Sequence, residues 1–146
     1  MKEIPRYGDE ICLRVIRGYQ HDLFADDARN VFFGNEYRVT NQCDRMGYRL
    51  EGPAVESTRP TLLSEGISLG AIQIPADGQP IVLLNDFQTI GGYPKTGSVL
   101  SCDLAQLAQC NPGARVRFES IPVGDAQEIL RRVKVRTESI QLKVSE

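Results

Sequence analysis

After residue 60 the chain is cut so often by glycine and proline that its fold class is nearly decided there. Gly66, Gly70, Pro75, Gly78, Pro80, Gly91, Gly92, Pro94 and Gly97 follow in close order. Between them lie short apolar runs, Ala71-Ile72-Gln73-Ile74, Ile81-Val82-Leu83-Leu84 and Ser98-Val99-Leu100-Ser101. Short strands joined by closely spaced turns pack as an antiparallel barrel or sandwich.

The rest of the sequence agrees with a mostly-β chain carrying a few helices. The first ten residues read as a lead-in. The β-branched run Ile11–Ile16, ended by Gly18, predicts a strand. Phe24, Ala28, Val31 and Phe32 make one apolar stripe, which predicts a helix over 22–33 with Gly34-Asn35 as its stop. Residues 37–40 and 48–50 read as strands around the turn-prone segment 41–47. Asp103 is placed to cap a short helix, and Asn111-Pro112-Gly113 leads into a strand over 115–119. A last helix is expected from 125 to 133, and the weak alternation of Ile140, Leu142 and Val144 suggests either an edge strand in the tail or an artefact of where the chain was cut.

Composition excludes several function classes. A chain of 146 residues is a one-domain length. A formal net charge of -2 gives no basic footprint for nucleic acid. No apolar stretch of roughly 18 residues exists, so no membrane span is expected. The first residues have no apolar core of the signal-peptide kind. Cys12, Cys43, Cys102 and Cys110 are dispersed, form no C-x-x-C pair, and have His21 as the only histidine. They read as reduced thiols in a cytoplasmic setting rather than as zinc ligands or disulfides. His21 has no nearby serine or cysteine that would suggest a triad.

Two segments concentrate polar groups beside glycine. In Asp44-Arg45-Met46-Gly47-Tyr48-Arg49, two guanidinium groups and a phenol flank one glycine. Arginine suits carboxylate or phosphate recognition because its fork binds two oxygens at once. If 48–50 is a strand, Tyr48 and Arg49 face opposite ways and only one can line a given cavity. Solvated strand arginines fit the same pattern. The second segment, Asn85 to Lys95, follows an apolar strand and offers Asp86, Gln88, Thr89, Tyr93 and Lys95 around Gly91-Gly92. Its glycines allow close backbone approach or a turn with positive φ. A ligand loop and a plain polar turn remain open. It is neither a P-loop nor a dinucleotide fingerprint, because both spacings are absent. Gln73, inside an apolar run, faces a cavity or needs a buried partner, and Gln79 joins it as a lesser candidate.

The run Arg45-Met46-Gly47-Tyr48-Arg49-Leu50-Glu51-Gly52 resembles the RMGYRL-x-G signature of the allophanate hydrolase subunit 2 family, which includes KipA-like proteins and the C subunit of 5-oxoprolinase. Segments 63–66, 70–75, 77–81, 86–95, 103–109 and 112–113 resemble the same family in order and spacing. The resemblance implies a cyclophilin-like closed β-barrel with two or three short peripheral helices. It also implies that residues 1–146, as one domain, correspond to the C-terminal half of a longer two-domain protein, whose N-terminal half would be a natural partner.

The implied activity is ATP-dependent opening of 5-oxoproline to L-glutamate, expressed with two partner subunits, one B-like (KipI-like), the other A-like. The isolated domain is then expected to be inactive. On that resemblance, Asp86 and Lys95 are the candidate catalytic groups, for orienting an amide N–H and for stabilising an oxyanion. Arg45 and Arg49 would bind carboxylate or phosphate. Tyr48, Gln73, Gln79, Gln88, Thr89, Gly91, Gly92 and Tyr93 would position substrate. Two alternatives are a carboxyl-transfer module acting from biotin to urea, with the biotin carrier on another segment, and a non-catalytic module that sequesters a kinase-inhibitor-like partner. The chain departs from the family pattern at Cys43-Asp44, Tyr19 and Thr96-Gly97. Asp44 places a negative charge beside any anion site at Arg45.

Overall fold

The computed structural model describes residues 9–86 and 90–144, with side chains through 141. Seven of its strands are β1 (Glu10–Arg17), β2 (Tyr37–Cys43), β3 (Gly47–Glu51), β5 (Ala71–Gln73), β6 (Ile81–Leu83), β8 (Lys95–Val99) and β9 (Arg115–Ser120). They close into a barrel in the order β1-β8-β5-β6-β3-β2-β9. Neighbours are antiparallel except β1 and β9, which run parallel and close the barrel. The remaining two, β4 (Glu65–Gly66) and β7 (Ile90–Gly91), form a separate two-stranded ribbon. The expected mostly-β closed barrel with peripheral helices is the observed fold.

Period-two alternation fills the barrel. Leu13, Val15, Leu50, Ile72, Val82 and Val116 are wholly inaccessible and join one core with Tyr37, Tyr48 and Phe118. Phe32 stacks on Phe118 at 4.4 Å between centroids, which seats α1 (Asp26–Gly34) on the barrel. Burial pushes the Tyr37 phenol up to about 12, while its O–H donates to Pro53 O at 2.8 Å.

α2 (Ser101–Ala108) is fixed by charge rather than by a cap. Asp103, expected to cap it, sits inside its first turn and is buried. Its carboxylate accepts two hydrogen bonds from the Arg14 guanidinium, at 2.7 and 3.0 Å, and one from the Arg14 backbone N–H at 2.9 Å. This is the bidentate geometry that makes an ion pair directional.

Two expected elements differ. The helix anticipated over 22–33 is split into a 3-10 turn, His21–Leu23, and α1, because Phe24 adopts an extended backbone while burying its ring. The tail is not an edge strand. α3 runs from Val123 to Val144, and i,i+4 pairs such as Glu128 with Arg132 support it. Among the described residues no helix is long and apolar enough to cross a membrane.

Candidate functional site

The outer face of the barrel carries the polar row. Gln73 pairs in register with Ile81, and Ile81 with Arg49, so these three side chains lie side by side across β5, β6 and β3 on the face opposite Ile72, Val82 and Tyr48. Lys95 joins the row through an irregularity. Ile72 pairs with Gly97 but Gln73 pairs with Lys95, which leaves Thr96 as an extra residue in β8. Such a bulge re-aims the next side chain. Simple alternation from Gly97 would send Lys95 inward. The bulge leaves the buried Thr96 hydroxyl without a hydrogen-bond partner among the described residues.

A cavity of about 610 Å³ lies over this row. Its floor includes Arg49, Gln73, Ile81 and Leu83, and its other wall comes from the β4–β7 ribbon and the strap before it, with Ser64, Gly91 and Tyr93. Gly91 and Gly92 are there for close approach, not for a left-handed turn, since neither has positive φ. A Cβ on Gly91 would stand 2.6 Å from Gln73 Nε2, and one on Gly92 would stand 2.7 Å from Leu62 O. The Gln73 amide therefore lies directly under the ribbon.

The ribbon is tied down at one carboxylate. Lys95 Nζ reaches Glu65 Oε1 at 2.9 Å, and the Tyr19 hydroxyl and Gln20 amide donate to the same carboxylate. Gln20 Oε1 in turn accepts the Lys95 backbone N–H at 2.9 Å. Hydrogen bonds from Tyr19 and then Lys95 hold the Glu65 carboxyl below its ordinary range. Lys95 is only 12% exposed, and its ammonium is engaged in this tie.

The predicted residues thus separate. Arg49, Gln73, Gly91, Gly92 and Tyr93 meet at the cavity. Lys95 sits at its edge in the ribbon tie. Tyr48 points into the barrel and donates to Ala108 O at 3.0 Å, linking β3 to the end of α2. Gln79 is occupied by the backbone of Gly52, at 2.9 and 3.1 Å. Arg45 and Asp86 line a different cavity of about 460 Å³ beside α2. Gln88 and Thr89 lie outside the described residues. Asp44, suspected of weakening an anion site, is spent on a turn. Its Oδ1 accepts the N–H of Met46 at 2.8 Å and of Gly47 at 3.2 Å.

Sequence reasoning missed Glu65, Gln20 and Tyr19, whose contacts to one another or to Lys95 span 30 to 75 residues apart from the Tyr19–Gln20 neighbours. Glu65 did lie within a family-like run. Among the described residues no group of His, Cys, Asp and Glu is set to hold a metal ion.

Residues 1–120 match the family described as carboxyltransferase domain, subdomain A and B. The chain belongs to this carboxyltransferase-domain family. It is 34% identical over 135 residues to the C subunit of 5-oxoprolinase from Haemophilus influenzae, covering 92% of this chain and 44% of that protein. It is 36% identical over 115 residues to the C subunit of 5-oxoprolinase from Escherichia coli, covering 78% of this chain and 37% of that protein. The crystal structure of the K. lactis urea amidolyase superposes with a TM-score of 0.76 at 25% identity, over 82% of this chain and 8% of that chain. The chain therefore spans less than half the length of the curated relatives it matches. In this carboxyltransferase-family domain the cavity lies on the barrel's outer face, while Tyr48, Ile72 and Val82 on the inner face join the hydrophobic core.

Proposed function

We propose that this domain is the ligand-recognition barrel of a protein of the 5-oxoprolinase C-subunit type, which with B-like and A-like partners opens 5-oxoproline to L-glutamate at the expense of ATP. The observation that carries this reading is the outer row, where the Arg49 guanidinium and the Gln73 amide share one cavity. A lactam bearing a carboxylate needs both kinds of group. Arg49 can hold the carboxylate through its fork, its tie to Asp77 being long at 3.6 Å. Gln73 can donate to the lactam carbonyl or accept its N–H.

This reading assigns binding and orientation to the chain. Among the described lining residues Arg49 is the one cation and Asp44 an anion, too little positive charge to cradle a triphosphate. In this reading ATP is a co-substrate held by the partner subunits. Lys95 acts by fixing the ribbon, and Asp86 has no part at this cavity. The isolated domain is inactive in this account.

The test is a coupled glutamate-release assay with the longer parent protein, its B-like and A-like partners, ATP and 5-oxoproline. Glutamate production that needs this protein and falls about a hundredfold in Arg49→Ala supports the reading. Turnover unchanged in both Arg49→Ala and Gln73→Ala removes the cavity from the mechanism.

The likeness to urea amidolyase motivates a second reading, carboxyl transfer to urea. Urea has no carboxylate, so turnover with urea and a biotinylated partner that tolerates Arg49→Ala would favour it. Tight capture of the B-like partner with no turnover of lactam or urea would favour the sequestering role.

A further inference from the structure

The last helix is built for a partner. Ala126 roots α3 against the barrel, but every side chain from 131 to 141 is exposed. This segment lies beyond residues 1–120, which match the family model, although one C-subunit relative aligns over 92% of the chain and so into α3. Its apolar and small residues recur at alternating steps of three and four: Val123, Ala126, Leu130, Val133, Thr137 and Ile140. That is the spacing of a coiled-coil seam. Val133 is 42% and Ile140 58% exposed, and Val123 is 55% exposed. Most helical stability in proteins comes from packing an amphipathic face, so the uncovered part of this seam, Val133 to Ile140, marks an interaction surface.

Charge selects the occupant. The positions flanking the seam are Gln127, Ile129, Lys134, Arg136 and Gln141, with cations in the central heptad and no acid among them. Glu128 and Glu138 lie outside the flanks. Glu128 pairs with Arg131 and Arg132, while Glu138 stands at 4.0 Å from Lys134. Arg136 has no ion pair among the described residues. A second copy of α3 offers these flanks no acid in either orientation, and an antiparallel copy sets like charges together. A helix flanked by glutamate or aspartate meets both cations.

We propose that α3 is a docking arm that takes an amphipathic helix of another polypeptide, one with acidic residues on both sides of its apolar seam. This is independent of what binds the barrel cavity.

The test uses the whole chain and two labelled synthetic peptides of about three heptads, alike in their leucine and isoleucine seam, one with glutamate and one with lysine at the flanks. Fluorescence anisotropy should show the glutamate peptide binding at least about tenfold tighter, with the gap narrowing in high salt. The double variant Lys134→Glu/Arg136→Glu should exchange the preference. Val133→Glu/Ile140→Glu should abolish binding while leaving the barrel's thermal unfolding in place, since both side chains stand in solvent. Equal binding of the two peptides, or none by the glutamate peptide, overturns the proposal. So does a concentration-dependent dimer that Val133→Glu/Ile140→Glu disperses without any peptide binding, which would make a second copy the occupant.

Discussion

The two faces of β3, β5 and β6 use neighbouring residues for opposite purposes. Tyr48, Ile72 and Val82 point inward into the packed core, while Arg49, Gln73 and Ile81 point outward under the ribbon. Each inward residue is one position from an outward one. A strand with a period of two separates the core face from the cavity face by a single step along the chain. The inner face should respond to substitution in stability, and the outer face in ligand handling.

The largest effect is expected inside. Ile72 is wholly inaccessible, so Ile72→Ala should lower unfolding free energy by about 2–5 kcal/mol, measured by urea denaturation. A loss below about 1 kcal/mol would mean the core collapses around the gap and would blur the contrast. Next is the adjacent face. Arg49→Ala should change stability by no more than about 0.5 kcal/mol, because its ion pair to Asp77 is long and exposed. On the proposed 5-oxoproline reading it should reduce glutamate release by the assembled complex about a hundredfold, equivalent to about 2.7 kcal/mol. If Arg49→Ala unfolds the domain as Ile72→Ala does, the division between faces is wrong.

A smaller effect tests the assignment of Tyr48 to structure. Tyr48→Phe removes the hydroxyl donated to Ala108 O and should cost about 1 kcal/mol, with kcat and KM of the assembled enzyme unchanged. A shift in KM without loss of stability would return Tyr48 to the recognition set.

The barrel was legible because its cause is local. Glycine and proline spacing and short β-branched runs report strand length directly, and the apolar stripe at Phe24 and Phe32 reports a helix. The tail was misread because Ile140, Leu142 and Val144 fit a period of two, while the longer seam from Val123 to Ile140 fits a helix. The site was legible only in part. The opposition of Tyr48 and Arg49 followed from alternation, but which of the two faced the core did not. Lys95 was recognisable as a polar group beside two glycines. Its direction depends on the extra residue at Thr96, and its partner Glu65 is 30 residues away. Bulges and long-range ion pairs leave no periodic trace in a sequence.

The smallest predicted effect concerns the tie that joins the outer face to the ribbon. The Glu65 carboxyl is held below its ordinary range by Tyr19 and Lys95, so its contribution to stability is present at neutral pH. It is lost as pH falls through the lowered value, because protonation removes the charge that Lys95 pairs with. Glu65 is one-third exposed, so solvent screens the pair and the contribution should be no more than about 1 kcal/mol. Urea midpoints of the domain and of Glu65→Gln should therefore differ slightly at pH 7 and converge below the ordinary carboxylate range. Gln20 and Tyr19 can still hydrogen-bond the glutamine, so the ribbon should stay closed and the Arg49 site should keep its ligand at neutral pH. A large loss of stability in Glu65→Gln would show that the ribbon, not the strand row, holds the outer face together. No difference at any pH would leave the ribbon fixed by the close approach of Gly91 and Gly92 to Gln73 and Leu62, with the charge merely solvated nearby.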